Sequence, residues 1–214
     1  VYLEHVNRLA RSTTIYIVNL RGVTQAASNW REPDSFVGDN VAFRPYVRDA
    51  LRGAPGGFYG VGTTRGEPGY YFARGIYQDG RMLGVATVKV NIESLEDTWA
   101  DAGGKALLAD AHGVVFLSSV PEWKYHTLAP LTPAVRKELE ESRQYVSHPL
   151  TPLGLRTVRA LDAGARIVAG PPPAAGGPML SQSRTLARRN WQLVYLSDLA
   201  PVRAGARAAA LLTL

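Results

Sequence analysis

At 214 residues, 46% apolar and 20% charged, the chain has an ordinary globular balance. It has room for one large domain or two of about 100 residues each. It contains no cysteine, which excludes disulfides, thiolate metal sites and cysteine nucleophiles. The net charge of +6 comes from scattered basic residues, with Arg184, Arg188 and Arg189 the nearest approach to a cluster. There is no zinc-finger spacing, basic helix or aromatic-rich RNA signature, so nucleic acid is not an expected partner.

Val1 to Arg11 places Leu3, Val6 and Leu9–Ala10 at helical spacing and predicts an amphipathic helix. Its start has no cap residue, so a longer N-terminal helix is expected. Thr14–Asn19 and Val23–Ser28 are β-rich runs around the hairpin signal Leu20-Arg21-Gly22. The stretch 29–40, with Pro33 and Gly38, reads as a loop. A helix over Pro45–Arg52 should stop at Gly53. Strands over Gly57–Thr64, Gly69–Tyr77 and Met82–Asn91 are joined by Arg-Gly-Glu-Pro-Gly and Gln-Asp-Gly-Arg turns. Ser94–Asp101 is a short helical connector carrying Trp99.

The pattern then recurs. Ile17–Ser28 aligns with Leu108–Ser119, matching Asn19 to Asp110, Gly22 to Gly113 and Ser28 to Ser119 at one offset. A loop with Trp123 and Tyr125 follows, then a helix capped by Thr132 with Pro133 at its first position. Strands are predicted over Leu155–Leu161, Ala165–Ala169, Met179–Ala187 and Trp191–Ser197, with Pro171–Pro178 as a loop. Two similar α+β units meeting near Asp101–Lys105 are the consequence. The chain closes on Ala-Ala-Ala-Leu-Leu-Thr-Leu, shorter than the roughly 20 residues a membrane span needs. It reads either as the first turns of a membrane helix or as a helical tail.

Candidate site residues gather in the first unit. Pro45 biases Arg44 towards an extended backbone and itself suits the first helical position. Arg44 therefore sits at a helix N-terminus, open to an anionic ligand or to a carboxylate of its own protein. Lys89 shares a strand face with Leu83, Val85, Thr87 and Asn91. It is a buried cation needing an anion, an edge-strand charge, or a stem that snorkels to water. Of Tyr70 and Tyr71, one should be core and the other offer a hydroxyl. Thr63 and Thr64 precede a tight turn, and Asn40 lies on the approach to the helix. Arginine, lysine and several hydroxyls form a donor-rich set suited to a ligand with two carboxylates, one held by Arg44 and the other by Lys89.

No Gly-x-Ser-x-Gly elbow, His-Glu-x-x-His or phosphate loop is present, so the chain is not expected to be an enzyme. The four histidines have no metal-ligand spacing, and neither metal nor cofactor is expected.

Ala27-Ser-Asn-Trp30, Phe36-Val-Gly-Asp-Asn40, Phe43-Arg-Pro-Tyr46, Gly62-Thr-Thr64, Pro68-Gly-Tyr-Tyr71 and Gly84–Val90 resemble the sensor region of DctB-type sensor histidine kinases. The resemblance extends through Leu117-Ser-Ser119, Trp123 and Trp191–Asp198, and so spans essentially the whole chain. It implies an α+β fold of tandem PAS-like domains (double Cache, or PDC) with antiparallel sheets on a long N-terminal helix. The implied layout is helix 1–12, membrane-distal ligand-binding domain 13–102, membrane-proximal domain 103–200 and the start of a membrane-directed helix at 201–214. It also implies a periplasmic location within an inner-membrane protein, a four-carbon dicarboxylate ligand, a homodimer and a response regulator reached through a cytoplasmic kinase. Arg44 and Tyr46 match the carboxylate-binding motif of amino-acid sensors in the wider family. Lys89 stands where those sensors place an aspartate for the amine, and Tyr71, Thr63, Thr64 and Asn40 complete the implied site. Arg65, in place of a small residue, and Val47, in place of an aromatic, depart from the pattern. The alternative is a chemoreceptor or cyclase sensor of the same fold for another small carboxylate.

Overall fold

The structure, a computed structural model, describes residues 1–99, 103–170 and 177–200. It contains two compact units, Val1–Glu93 with Pro133–Ser147, and Ser94–Thr132 with the chain from His148 onward. In the first, helix α1 (Tyr2–Ala10) precedes strands β1 (Thr14–Val18) and β2 (Thr24–Ala27). Helix α2 (Pro45–Leu51) follows, then β3 (Gly56–Val61), β4 (Pro68–Gln78) and β5 (Arg81–Val90). The sheet is antiparallel in the order β2-β1-β5-β4-β3. Tyr46, Val47 and Ala50 of α2 are buried in one core cluster with Tyr16, Val18, Phe58, Tyr71, Ala73 and Val85 of the sheet. That buried apolar face is what holds so short a helix in place.

The second unit opens with the short helix α3 (Ser94–Asp97), then β6 (Lys105–Ala109) and β7 (Val115–Ser118). Its later strands are β8 (Arg156–Ala160), β9 (Arg166–Ala169), β10 (Met179–Leu186) and β11 (Trp191–Asp198). They form a second antiparallel sheet in the order β7-β6-β11-β10-β9-β8. Its core joins Leu107, Val115, Trp123, Val168, Met179, Val194 and Leu196. The α+β class and paired antiparallel sheets agree with the expectation from sequence.

The internal repeat holds at the level of single hydrogen bonds. Asn19 Oδ1 accepts the N–H groups of Arg21 and Val23, and Asp110 Oδ1 those of His112 and Val114. Ser28 Oγ accepts from Ile15 N–H, and Ser119 Oγ from Ala106 N–H. Gly22 and Gly113 turn both hairpins with positive φ, 81° and 79°. The register shifts at Ile17/Val18 in one hairpin and at Leu108/Ala109 in the other. A matched Asx turn, side-chain brace and bulge therefore explain why the motif recurs.

After these hairpins the units part company. The helix over Pro133–Ser142, α4, follows the second hairpin as α2 follows the first, yet it belongs to the first compact unit. The sequence places it in 103–200. The expected boundary at 102, the helix at 201–214 and positions 171–176 of the proline loop lie outside the described residues. Smaller differences concern strand ends: β3 stops at Val61, leaving Thr63 and Thr64 in the turn where Gly62 N–H donates to Glu67 O.

Candidate functional site

Arg44 is the N-cap of α2, extended at φ −74°, ψ 131° as Pro45 requires. Its side chain is buried at 2% exposure. Nη1 donates to the carbonyls of Ser142 (3.2 Å) and Arg143 (2.8 Å), and Nη2 to Val61 O (2.7 Å). The first two oxygens lie at the C-terminal end of α4, the negative end of its dipole. Among the described residues no carboxylate stands at ion-pair distance from Arg44. Carbonyl dipoles orient the guanidinium but do not neutralise it, so a buried unit charge remains to be matched.

That charge faces a small cavity of about 30 Å³, lined by Tyr16, Thr24, Phe36, Asp39, Val41, Arg44, Tyr46, Gly62, Thr63 and Tyr71. At about 10–15 Å³ per water, the space takes two waters and not a larger molecule. Tyr16 and Tyr46 share a hydroxyl–hydroxyl bond of 2.6 Å, and the rings of Tyr46 and Tyr71 stack at 5.0 Å. Burial drives the Tyr16 and Tyr46 hydroxyls well above their ordinary value. Tyr71 is pushed up to about 12, again by burial, with Arg44 opposing. All remain neutral donors at physiological pH.

Lys89 occupies a central strand, opposite Thr14 on one side and Tyr71 on the other, and is 1% exposed. Edge-strand and snorkelling readings are both excluded. Nζ donates to Glu67 O (3.3 Å) and Glu67 Oε2 (3.5 Å), while the Glu67 side chain is 54% exposed. Burial lowers the Lys89 pKa, and Glu67 opposes the shift. The ammonium stands behind Gly62: a methyl placed there would lie 3.4 Å from Tyr71 Oη and 3.9 Å from Lys89 Nζ.

Of the expected site residues, Arg44, Tyr46, Thr63 and Tyr71 share the cavity wall. Lys89 stands one layer behind it. Thr64 instead donates to Asp39 Oδ2 at 2.7 Å. Asn40 is exposed and away from the wall; its Oδ1 accepts Ala42 N–H and shapes the loop. Arg65 is not a solvent-facing departure, because it pairs with Glu32 and Asp34 and lies over the Phe36 ring. It thereby ties the 62–67 turn to the 32–36 loop. Sequence reasoning missed Thr24, Asp39 and the α4 carbonyls; the first two, one opening β2 and one in the 29–40 loop, read as plain structure. Among the described residues, no three His, Asp or Glu side chains gather as a metal site would need.

Register shows what the second sheet puts in the same place. Lys105 occupies the repeat position of Thr14 and pairs with Leu196, as Thr14 pairs with Lys89. By the same matching Leu107 replaces Tyr16, Val194 replaces Thr87 and Ser181 replaces Tyr71. The donor-rich face of one unit is an apolar core in the other.

No protein-family model matches the chain. It is 36% identical to the C4-dicarboxylate transport sensor protein DctB of Rhizobium meliloti, over 99% of this chain and 34% of that protein. The protein of the same name from Pseudomonas aeruginosa is 37% identical over 88% of this chain and 28% of its own length. The chain thus spans about a third of each of these relatives. The crystal structure of the V. cholerae histidine kinase DctB sensor domain superposes with a TM-score of 0.82 at 32% identity, covering 92% of this chain and 76% of that one. The chain belongs to the family of DctB sensor domains.

Proposed function

We infer that this chain is the periplasmic ligand-sensing region of a two-component sensor histidine kinase, and that its first unit binds a four-carbon dicarboxylate. The observation that carries the reading is Arg44, a buried guanidinium facing a cavity with no carboxylate at ion-pair distance among the described residues. One ligand carboxylate takes the Arg44 charge and the Tyr46 and Tyr71 hydroxyls. The other displaces the exposed Glu67 carboxylate from Lys89, reached past Gly62. A cation at Lys89 suits a second carboxylate and opposes the ammonium of an amino acid. Thr63, Thr64 and Asn40 belong to the segments that border this space and are proposed as secondary contacts.

The cavity is smaller than such a ligand, so the 32–41 loop and the 62–67 turn must separate for entry. A ligand that prefers one arrangement of these segments shifts the equilibrium between them, and that shift is the proposed signal to the membrane. The second unit, with Leu196 at the Lys89 position, is the membrane-proximal relay and binds no dicarboxylate. The native receptor is a homodimer through the N-terminal helix, passing phosphate to a response regulator from a kinase region beyond this chain. Titration calorimetry with succinate, against aspartate as comparator, tests the reading. Saturable succinate binding with aspartate at least tenfold weaker is expected; no succinate binding, or a preference for aspartate, refutes it.

A further inference from the structure

The cavity wall contains two groups that a plain dicarboxylate does not explain. Thr24 is 1% exposed and lines the cavity, and among the described residues its Oγ1 has no hydrogen-bond partner. Its backbone is fully engaged: Thr24 N–H donates to Asp39 O (2.9 Å), and Thr24 O accepts from Gly38 N–H (2.9 Å). The Thr24 backbone is therefore fixed beside Asp39, which lines the same cavity. A buried hydroxyl left unpaired costs about 1–3 kcal/mol, so this one bonds to whatever fills the cavity, water or ligand. Asp39 is an acceptor-only group that repels a ligand carboxylate. Whatever part of the ligand lies against this wall must donate a hydrogen bond and carry no negative charge.

We propose that Thr24 and Asp39 form a hydroxyl-recognition subsite, making the first unit selective for 2-hydroxy dicarboxylates over their deoxy counterparts. The proposal rests on the dicarboxylate reading and names the ligand class within it. The ligand hydroxyl accepts from Thr24 Oγ–H and donates to Asp39, whose other carboxylate oxygen keeps its bond from Thr64. Removing the ligand hydroxyl leaves Thr24 Oγ1 without that partner and Asp39 with its Thr64 bond alone. Sites built to bond a hydroxyl discriminate in this way more strongly than sites that merely tolerate one.

The test is calorimetric titration of the 214-residue protein with L-malate, succinate and aspartate, repeated on Thr24→Val and Thr24→Ser. Wild type should bind malate at least five- to tenfold more tightly than succinate, the factor one hydrogen bond supplies. Thr24→Val, which keeps the shape, should abolish that preference by weakening malate while leaving succinate within twofold. Thr24→Ser should restore it. A wild-type preference for succinate over malate overturns the proposal without any variant, even if Thr24→Val misfolds. Equal weakening of both ligands in Thr24→Val overturns it too, by placing Thr24 on a carboxylate. Tighter binding of aspartate than malate assigns Asp39 to an ammonium and also overturns it. If wild type binds neither dicarboxylate, the functional reading itself has failed and the subsite falls with it.

Discussion

Replacing Lys89 by methionine should separate binding from stability, because the structure gives the two effects different signs. A buried ammonium loses several kcal/mol of hydration. Its salt-bridge partner Glu67 lies at 3.5 Å with a side chain 54% exposed. At that range an effective dielectric of 20 would yield about 5 kcal/mol, but a partner so well solvated contributes about 1 kcal/mol or less. The lysine is thus a net burden on the fold, while methionine keeps the length and adapts to the gap. Lys89→Met should leave stability unchanged or raise it by up to about 2 kcal/mol, read as the urea midpoint. Succinate and malate binding should weaken about 10- to 150-fold, the equivalent of one charge-assisted hydrogen bond of about 1.5–3 kcal/mol. The pH dependence supplies a second readout. Burial holds the folded-state pKa of Lys89 below its ordinary 10.5, so the folded protein releases this proton before the unfolded chain does. Between those two values the unfolded state binds more protons, and wild-type stability should rise with pH relative to the variant. Unchanged ligand affinity, a loss of more than about 2 kcal/mol, or the opposite pH slope refutes the reasoning.

Arg44→Ala should lose ligand binding and about 1–3 kcal/mol of stability, since three carbonyls lose a charged donor. Arg44→Lys should recover part of the stability and less than a tenth of the affinity, because one ammonium cannot reproduce the fork; full affinity by calorimetry would disprove a planar carboxylate contact. Gly62→Ala sets a methyl 3.2 Å from Glu67 O, 3.4 Å from Tyr71 Oη and 3.9 Å from Lys89 Nζ, so the 62–67 turn must give slightly and titration should show binding weakened; unimpaired binding would place the second carboxylate elsewhere. Arg65→Ala unties the 62–67 turn from Glu32 and Asp34 and should alter stability by no more than about 1 kcal/mol. Stopped-flow measurements should then show ligand entry and exit accelerated together; unchanged rates would mean that these ion pairs do not gate the cavity.

What was legible in the sequence follows from what acts locally. Asn19, Gly22 and Ser28 shape a hairpin through bonds to residues near in space and sequence, so their recurrence as Asp110, Gly113 and Ser119 could be seen directly. Alternation along β5 placed Lys89 among Val85 and Thr87 on the buried face. It could not show that β1 and β4 flank that strand, which is what removes the edge and snorkelling readings. The companions of Arg44 were illegible for a different reason. Its partners are main-chain oxygens, which carry no side-chain signature, at the end of a helix whose sequence resembles any exposed amphipathic one. Thr24 hid likewise, because a threonine in a short strand is unremarkable until its hydroxyl is seen to lack a partner.

The excursion of α4 into the first unit has a consequence for biosynthesis. Arg44 precedes the α4 oxygens that hold it by 98 and 99 residues. At a synthesis rate of about 5–20 residues per second, the guanidinium emerges roughly 5–20 s before the carbonyls that will orient it. Until then the guanidinium at the start of α2 has Val61 O as its one carbonyl of the three, and Val61 lacks the Gln144 carbonyl that its N–H will meet. A fragment ending at Glu93 preserves that unfinished state permanently. Its failure to bind a ligand would report a missing helix end and not a missing pocket.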